Sequence, residues 1–318
     1  MIKQIATRDA YGQTLASLND QNIVVLDADL SESTRTRLFA KKHPRRFFDT
    51  GISEANMMGA AAGLATCGKT VFASTFGVFA STRALDQIRQ SICYSNLNVK
   101  ICATHCGITV GEDGASHHAI EDISIMRTLA NMKVLVPADP NEARQIIQFC
   151  AKDIGPAYVR LGRNKYFDLY DNPLLHSRRN YKTQFKFGKA QIMRHGKEGT
   201  IIACGYMLTN ALMAAEKLAK ENIQVTVLNM STIKPIDKTA ILKCPKPILT
   251  VEEAMVNGGL GSAVAEVLCE ELIDYAPKPV LKRMGLHGFA ESGTAEELLK
   301  KYKLTDSDIA EEMKNLLI

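Results

Sequence analysis

Residues 98–118 read NVKICATHCGITVGEDGASHH, an apolar run that leads into a short glycine-rich loop. In α/β sheets, ligands bind at such a strand-to-loop junction, because the strand ends leave a crevice outside the sheet. Gly107, Gly111 and Gly114 allow the backbone to bend and to approach a ligand closely. This stretch therefore predicts an α/β fold with a binding loop at the end of one strand.

The same loop carries several polar side chains. His105 and His117 can each exchange a proton near neutral pH, and Asp113 can accept hydrogen bonds from hydroxyl groups. The combination favours a site for a polyol or a sugar. The alternative is a polar loop that only caps the following helix, with Asp113 and Ser116 as the caps.

A second segment, GISEANMMGAAAG at residues 51–63, places Glu54 at the start of an almost wholly apolar helix. We expect this carboxylate to be poorly solvated and to share a proton with a buried partner. The alternative is an ordinary carboxylate at a helix N-terminus, stabilised by the helix dipole.

Short β-rich runs alternate with longer helical patterns, which is typical of parallel α/β sheets. The predicted strands are 22–27, 69–75, 98–104, 133–138, 157–161, 200–205, 223–228, 247–253 and 279–285. The helices of the first half are predicted near 54–66, 80–94, 118–131 and 140–152. The pattern predicts an α/β protein of two domains, residues 1–165 and 187–318, each a mostly parallel sheet flanked by helices. A polar, irregular segment over 166–186 is predicted to be the linker.

Composition narrows the class of protein. The chain of 318 residues is 46% hydrophobic, enough to bury two cores. Its formal charge of +5 is scattered, which a solvated surface explains better than nucleic-acid binding. The eight cysteines form no zinc-like CxxC pairs and suit a reducing compartment. With no signal-peptide core and no long apolar window, we predict a cytoplasmic protein that binds neither nucleic acid nor membrane.

Three motifs occur in a fixed order: the Glu54 segment, the run STFGVF at 74–79, and the pattern H-x7-D-x3-H at 105–117. Together they resemble the C-terminal portion of transketolases, and most closely the free-standing C-terminal subunits of split transketolases. The resemblance continues through STIKPID at 231–237, TVEEAMVNGGLGSAVAEVL at 250–268 and GFAESGTAEELLKKY at 288–302. It implies a pyrimidine-binding domain of the thiamine-diphosphate-binding fold, followed by a transketolase C-terminal domain.

The resemblance gives Glu54, Phe76 and Phe79 a role in cofactor binding. Thiamine diphosphate must lose the proton on its thiazolium C2, and a carboxylate beside the pyrimidine ring promotes that loss. Glu54 corresponds to this glutamate, Phe79 to the ring that stacks on the pyrimidine, and Phe76 to a lining residue. On spacing alone, the two phenylalanines could equally be core aromatics. A tyrosine that often follows in relatives is Thr82 here, so one cofactor contact is expected to differ.

The resemblance also assigns the sugar contacts. His117 is expected nearest the reacting carbonyl, Asp113 at an acceptor hydroxyl, and His105 at the far end of the acceptor. His105 and His117 therefore join Glu54 as predicted catalytic residues. His118 has no corresponding role and is expected to be exposed or structural.

Arginines are expected to bind the acceptor phosphate, because the guanidinium group suits bidentate contacts. Arg163 corresponds to the phosphate arginine of transketolases, and Arg35 or Arg37 could supply a second contact. Glu54 follows Arg37 by only 17 positions, fewer than in full-length transketolases, so part of their phosphate pocket has no counterpart. The alternative for each arginine is an ordinary surface side chain.

The GDG-type motif that holds Mg²⁺ and the diphosphate in transketolases is absent, since Asp113-Gly114 is the only Asp-Gly pair. We therefore expect half an enzyme that provides no metal ligands. An N-terminal partner subunit would hold Mg²⁺ and share thiamine diphosphate with this chain. Two copies of each chain would form an α2β2 heterotetramer. The predicted reaction is transfer of a two-carbon ketol unit from a ketose, or ketose phosphate, to an aldose or aldose phosphate.

Three other functions are compatible with parts of this sequence. A β-subunit of a 2-oxo acid dehydrogenase shares the fold and a similar ISE segment, but lacks the H-x5-GEDG-x2-H loop. Deoxyxylulose-phosphate synthase has the same modules, normally in one long chain. A catalytically silent scaffold is disfavoured by the intact Glu54, His105, Asp113 and His117. The C-terminal domain is expected to contribute subunit contacts and to have no direct part in the chemistry.

Overall fold

The computed structural model describes residues 4–166, 169, 184–271 and 280–318. Most of the predicted linker over 166–186 lies outside the described residues. In chain order, the strands are β1 (Ile5–Ala6), β2 (Ile23–Asp27), β3 (Phe47–Asp49), β4 (Thr70–Phe76), β5 (Val99–Thr104), β6 (Lys133–Leu135), β7 (Ala157–Arg160), β8 (Lys165–Tyr166), β9 (Gln191–Arg194), β10 (Thr200–Ala203), β11 (Thr226–Asn229), β12 (Thr232–Lys234), β13 (Ile248–Met255) and β14 (Leu281–Leu286).

The helices follow the predicted alternation with the strands. They are α1 (Thr7–Ser17), α2 (Ser31–Thr34), α3 (Arg37–Lys42), α4 (Glu54–Thr66), α5 (Leu85–Gln87), α6 (Asp122–Thr128), α7 (Pro140–Lys152), α8 (Met207–Lys220), α9 (Lys238–Lys243), α10 (Leu260–Glu271), α11 (Ala295–Lys301) and α12 (Asp306–Leu317). Short 3₁₀ helices cover Pro44–Arg46 and Ile108–Val110, and π-helical turns cover Phe79–Arg83 and Ile88–Cys93.

The strands form a seven-stranded sheet in the order β12-β6-β7-β5-β4-β2-β3 and a five-stranded sheet in the order β14-β13-β10-β11-β9. β1 and β8 form a separate antiparallel pair. β12 runs antiparallel to β6 and β9 antiparallel to β11, while the other pairings described within the two larger sheets are parallel. The prediction of an α/β fold with two mostly parallel sheets flanked by helices is confirmed.

The central strands of the larger sheet are covered on both faces. All five residues of β2 and all seven of β4 are buried, as expected of continuous apolar runs in parallel strands. Successive residues of β4 pack on opposite helix layers, Val71 against α4 and Phe72 against α1 and α7. This arrangement fixes the carboxyl ends of β4, β5 and β7 at one edge of the sheet.

The second half of the chain completes the first sheet, a feature that the sequence pattern missed. In β12, Thr232 pairs with Leu135 and Lys234 with Val134 of β6. One hydrophobic cluster also contains Val71 from the larger sheet together with Ile202 from the smaller one. The two sheets therefore share a core, and the smaller sheet supports the loops at the edge of the larger one.

Two predicted helices differ from their expected form. The segment predicted as a regular helix over 80–94 contains two π-helical turns, a feature frequent at functional sites. The helix predicted over 118–131 is confined to α6, because residues 118–121 belong to the preceding loop. Within the described residues, no helix is both long and apolar enough to cross a membrane.

Candidate active site

The predicted site residues lie around the carboxyl edge of the larger sheet. Phe76 is the last residue of β4, His105 directly follows β5, and Arg163 follows β7 by three positions. These three strands are neighbours, so their ends meet at one place. Glu54 begins α4, which packs against β4. The fold thus brings the sequence motifs together at the edge where ligands bind in α/β sheets.

Two phenylalanines and two histidines form an aromatic wall at this edge. The ring centroids of Phe76 and His105 are 3.8 Å apart, and those of Phe76 and Phe79 are 5.7 Å apart with nearly parallel planes. His117 meets Phe79 edge-on at 5.6 Å and Phe76 at 6.3 Å. Phe79 is only partly buried, so this wall has a face that a flat ring can contact.

Glu54 is 4% exposed, which agrees with the expectation of a poorly solvated carboxylate. Its Oε1 lies 3.4 Å from Nη1 of Arg83. The Arg83 guanidinium carbon lies 4.0 Å from the centre of the Phe79 ring, a cation–π contact. Arg83 was not singled out from the sequence, yet it contacts both residues that were assigned to the pyrimidine. One π-helical turn carries both Phe79 and Arg83.

His105 is buried and held on both ring nitrogens. Nη1 of Arg8 donates a hydrogen bond to Nε2 at 3.1 Å, because a guanidinium has no acceptor. The ring proton of the neutral imidazole is therefore on Nδ1, which lies 2.9 Å from Oγ1 of Thr104. Burial, and then the charges of Arg8 and Arg163, lower the pKa of His105 to about 3. The expectation that His105 exchanges protons near neutral pH is wrong, and it acts as a neutral hydrogen-bonding group.

The other two histidines of the loop differ from each other. His117 is half-buried, and its Nδ1 lies 2.9 Å from Oγ of Ser116. His118 is buried and donates from Nε2 to the carbonyl oxygen of Gly111 at 2.9 Å. His117 thus remains available to a ligand, whereas His118 ties the loop to itself and is structural.

Asp113 and Arg163, which were predicted to contact different parts of the substrate, form an ion pair with each other. Nη1 of Arg163 lies 3.2 Å from Oδ2 of Asp113, and each side chain is about one-third exposed. The same nitrogen donates to the carbonyl oxygen of Val110 at 3.1 Å. Both groups are therefore oriented by the loop and are still open to solvent.

The remaining predicted arginines are occupied elsewhere. Nε of Arg35 lies 2.6 Å from Oδ1 of Asp9, and Arg37 is ion-paired with Glu32; the two arginine side chains are 34% and 39% exposed. Arg8, which was not predicted as a site residue, is the arginine that contacts His105. Its Nη1 also donates to the carbonyl oxygen of Ser33 at 3.1 Å, while its buried Nε has no hydrogen-bond partner among the described residues.

The arginines near His105 repel one another. Burial is the largest cause that lowers the pKa of Arg8, and the positive charge of Arg35 is the next. Arg163 adds to this, whereas Asp9 and Asp113 oppose it. Three cations with two carboxylates leave a net positive charge beside His105, which suits an anionic ligand. The sequence could not reveal Arg8, since it lies on α1 in no recognisable motif and reaches the site only through folding.

Comparison with known proteins agrees with this arrangement. The transketolase pyrimidine-binding domain model matches residues 3–167, and the transketolase C-terminal domain model matches residues 188–309. A transketolase C-terminal section from Methanocaldococcus jannaschii is 47% identical over 96% of both chains. A 6-deoxy-6-sulfo-D-fructose transketolase subunit from a Clostridium species is 40% identical over 95% of this chain and 91% of its own.

A solved structure described as a split gene transketolase, inactive beta4 tetramer, is 45% identical. It superimposes with a TM-score of 0.86 over 98% of both chains. These relatives match this chain along almost their whole length, which excludes a chance similarity of one motif. The chain belongs to the transketolase family and corresponds to the C-terminal section of a transketolase that is divided between two chains.

Proposed function

We propose that this chain works with an N-terminal partner chain as a thiamine-diphosphate-dependent transketolase that transfers a two-carbon ketol unit from a ketose to an aldose. The observation that carries the proposal is the meeting of a buried carboxylate, Glu54, with the aromatic wall and His117 at one sheet edge. A carboxylate, a flat apolar face and hydrogen-bonding groups are what a pyrimidine ring and a sugar require.

The residues present fit the pyrimidine half of the cofactor. Glu54 offers a buried carboxylate that can hold a proton at a ring nitrogen, and Phe79 offers a partly exposed face for stacking. Phe76 packs behind Phe79 and lines the pocket. When bound, thiamine diphosphate supplies the electron sink for cleavage of a bond beside a carbonyl. This chain's part is to orient the ring, exclude water and move one proton at Glu54.

The metal and the diphosphate are assigned to the partner. Within the described residues, no cluster of three or more His, Cys, Asp or Glu side chains could hold a metal ion. The relative described as an inactive tetramer of one chain type supports the need for a second chain. We propose an assembly that contains two copies of each chain, because a closed two-fold arrangement is the commonest for such complexes.

On the sugar side, we propose that His117 donates hydrogen bonds and a proton near the reacting carbonyl. Asp113 accepts a hydrogen bond from a substrate hydroxyl, and the neutral His105 contacts the acceptor's far end. Arg8 and Arg163 bind the anionic end of the substrate. Arg35 is ion-paired with Asp9 close to Arg8 and does not contact the substrate directly. Arg37 has no role at the site.

A phosphate is the first candidate for the anionic group of the substrate. A sulfonate is the alternative, because the Clostridium relative is named for a sulfonated ketose. Both groups present oxygens to guanidinium groups.

All eight cysteines are free thiols, five of them buried, which supports the proposed cytoplasmic location.

The experiment is reconstitution of the two chains. The purified chain is mixed with its N-terminal partner, thiamine diphosphate and Mg²⁺, and formation of the new ketose is followed from a ketose phosphate and an aldose phosphate. Parallel assays replace the ketose phosphate by a sulfonated ketose. We expect turnover only when both chains are present, and the better donor identifies the anion. Absence of turnover from the mixture with either donor would contradict the proposal.

A further inference from the structure

The C-terminal half of the chain reaches into the substrate loop, which we define as residues 105–118, through one buried carboxylate. Glu253 lies on β13 and is 2% exposed. Its Oε2 accepts a hydrogen bond from Oγ1 of Thr109 at 2.6 Å and another from the Thr109 backbone N–H at 3.2 Å. One carboxylate oxygen on β13 thus accepts from both hydrogen-bond donors of Thr109, near the middle of the loop.

The Glu253 carboxylate packs against Gly107 of the loop, in the space that a side chain there would fill. Gly107 has a φ of +86°, and a Cβ placed there would lie 2.3 Å from the Glu253 carboxylate. Two positions earlier, His105 has a φ of +56°, an uncommon conformation for a residue with a side chain. Such a backbone persists only where its surroundings hold it. Glu253 supplies contacts at Gly107 and Thr109, immediately after the constrained histidine.

A second contact from the C-terminal half closes the outside of the loop. Ser292 donates from Oγ to the carbonyl oxygen of Glu112. A Cβ at Gly111 would lie 3.3 Å from the carbonyl oxygen of Gly293. The loop is therefore enclosed between Glu253 on its inner side and residues 292–293 on its outer side. Glu253 is the charged and buried member of this enclosure.

The charge of Glu253 is balanced inside the protein. Nη1 of Arg160 lies 3.6 Å from Oε1 of Glu253, and Nε of the same arginine lies 2.9 Å from Oδ2 of Asp122. Tyr158 also donates to that Asp122 oxygen at 2.7 Å. Because Arg160 keeps Asp122 as a partner, neutralising Glu253 does not strand a buried cation. We therefore expect variants of Glu253 to fold.

We propose that Glu253 is a positioning residue for substrate binding, which acts through Thr109 to fix His105 and Asp113, four positions before and after Thr109 in the loop. This inference rests on the proposed function, and it gives the C-terminal domain a role in substrate affinity that the sequence did not predict. Glu253 does not contact substrate. Its effect is on the shape of the loop that does.

The test compares pairs of variants in the two-chain complex. Thr109→Val and Glu253→Met remove the hydrogen bond, whereas Thr109→Ser and Glu253→Gln keep a donor or an acceptor. We expect the first pair to raise KM for the sugars about tenfold and to change kcat less than about threefold. The second pair should stay within about threefold of the parent KM. The double variant should be no worse than Glu253→Met alone, because Glu253→Met already removes the hydrogen bond that Thr109→Val removes.

A matched control is Thr200→Val, which removes another buried threonine hydrogen bond, from Oγ1 to the carbonyl oxygen of Pro245 at 2.7 Å. This variant should lower the unfolding temperature and leave KM unchanged. Affinity for thiamine diphosphate should not differ among the folded variants. If Glu253→Met does not fold, Thr109→Val and Thr109→Ser decide the question by themselves.

Amide hydrogen exchange of this chain gives a readout that does not depend on activity. Exchange in residues 105–118 should be faster by about fivefold or more in Thr109→Val than in Thr109→Ser or Thr200→Val. Parent KM and parent exchange in a folded Thr109→Val variant would overturn the inference. Faster loop exchange in a complex that shows no turnover even with the parent chain would instead refute the proposed function and leave the loop contact established.

Discussion

Nη1 of Arg83 lies 3.4 Å from Oε1 of Glu54, and the same guanidinium covers the ring of Phe79. A flat cation therefore makes the two contacts that we assign to the cofactor's pyrimidine ring. The Arg83 side chain is 54% exposed. Such a pair contributes about 0–1 kcal/mol, and an exposed cation–π contact about 0.5–1 kcal/mol. We therefore expect the pyrimidine ring to displace Arg83 when the cofactor binds.

Replacement of Arg83 should favour the cofactor. In the two-chain complex, we expect Arg83→Gln to tighten thiamine diphosphate binding by about two- to thirtyfold, because the competing contacts of about 0.5–2 kcal/mol are lost. Calorimetric titration measures this change. Arg89→Gln, an exposed arginine farther along the same helical segment, serves as the control and should leave the affinity unchanged. Weaker binding by Arg83→Gln would mean that Arg83 helps to hold the cofactor.

Glu54→Gln should fold normally and lose most turnover. Glutamine keeps the volume and a hydrogen bond but cannot exchange the proton. We expect a loss on the order of 10²–10⁴-fold in kcat, the usual range for a positioned acid–base group. Steady-state rates of the reconstituted complex, together with the unfolding temperature, measure the two effects. A near-normal rate would show that Glu54 is only a helix N-terminal carboxylate.

We assign Arg8 to the anionic end of the substrate and give Arg37 no role, and substrates of different charge test both assignments. Arg8→Gln should raise KM for an anionic acceptor by about 10–100-fold, which corresponds to the free energy of one hydrogen bond to a charged group. KM for an uncharged acceptor should change little. Arg37→Gln should change neither value, because Arg37 is ion-paired with Glu32 at the surface. Equal effects of Arg8→Gln on both acceptors would show that Arg8 acts through His105 rather than on the anion.

The lowered pKa of His105 makes the stability of the chain depend on pH. Its folded pKa of about 3 lies below the unfolded value of about 6.5, so the unfolded state binds the proton more readily. Stability should therefore fall as the pH decreases from about 6.5 toward 3, and His105 should have no effect above that range.

Denaturant unfolding at pH 7 and pH 5 measures this dependence. We expect His105→Gln to lose less stability than the parent between these two values, by on the order of 1–2 kcal/mol. Substitution of His287, an exposed histidine, is the control and should not reproduce the difference. Identical pH dependence of the parent and His105→Gln would contradict the assignment of a neutral, desolvated His105.

Much of the fold could be predicted because its signals are local. The five buried residues of β2 and the apolar start of α4 are visible as short runs of sequence. β12 could not be predicted, since its partner β6 lies almost a hundred positions earlier and the pairing depends on tertiary structure. The motif residues Phe76, Phe79 and His117 were found together for a similar reason. Each belongs to a short motif, STFGVF at 74–79 or H-x7-D-x3-H at 105–117.

The residues that the sequence missed act across long separations. Arg8 contacts His105 from 97 positions away, and Glu253 contacts Thr109 from 144 positions away. No periodicity or spacing encodes such contacts. Arg83 is nearer to Phe79, but its approach depends on a π-helical turn where the pattern indicated a regular helix. The lowered pKa of His105 follows from the same unforeseen neighbours and from its burial.

The division of one active site between two chains is tested most directly by calorimetric titration of thiamine diphosphate with Mg²⁺. Three samples are compared: this chain alone, the N-terminal partner alone, and the equimolar mixture. We expect tight Mg²⁺-dependent binding only by the mixture, with one cofactor bound for each pair of chains. Tight Mg²⁺-dependent binding by this chain alone, or no binding by the mixture, would contradict a site that is shared between the two.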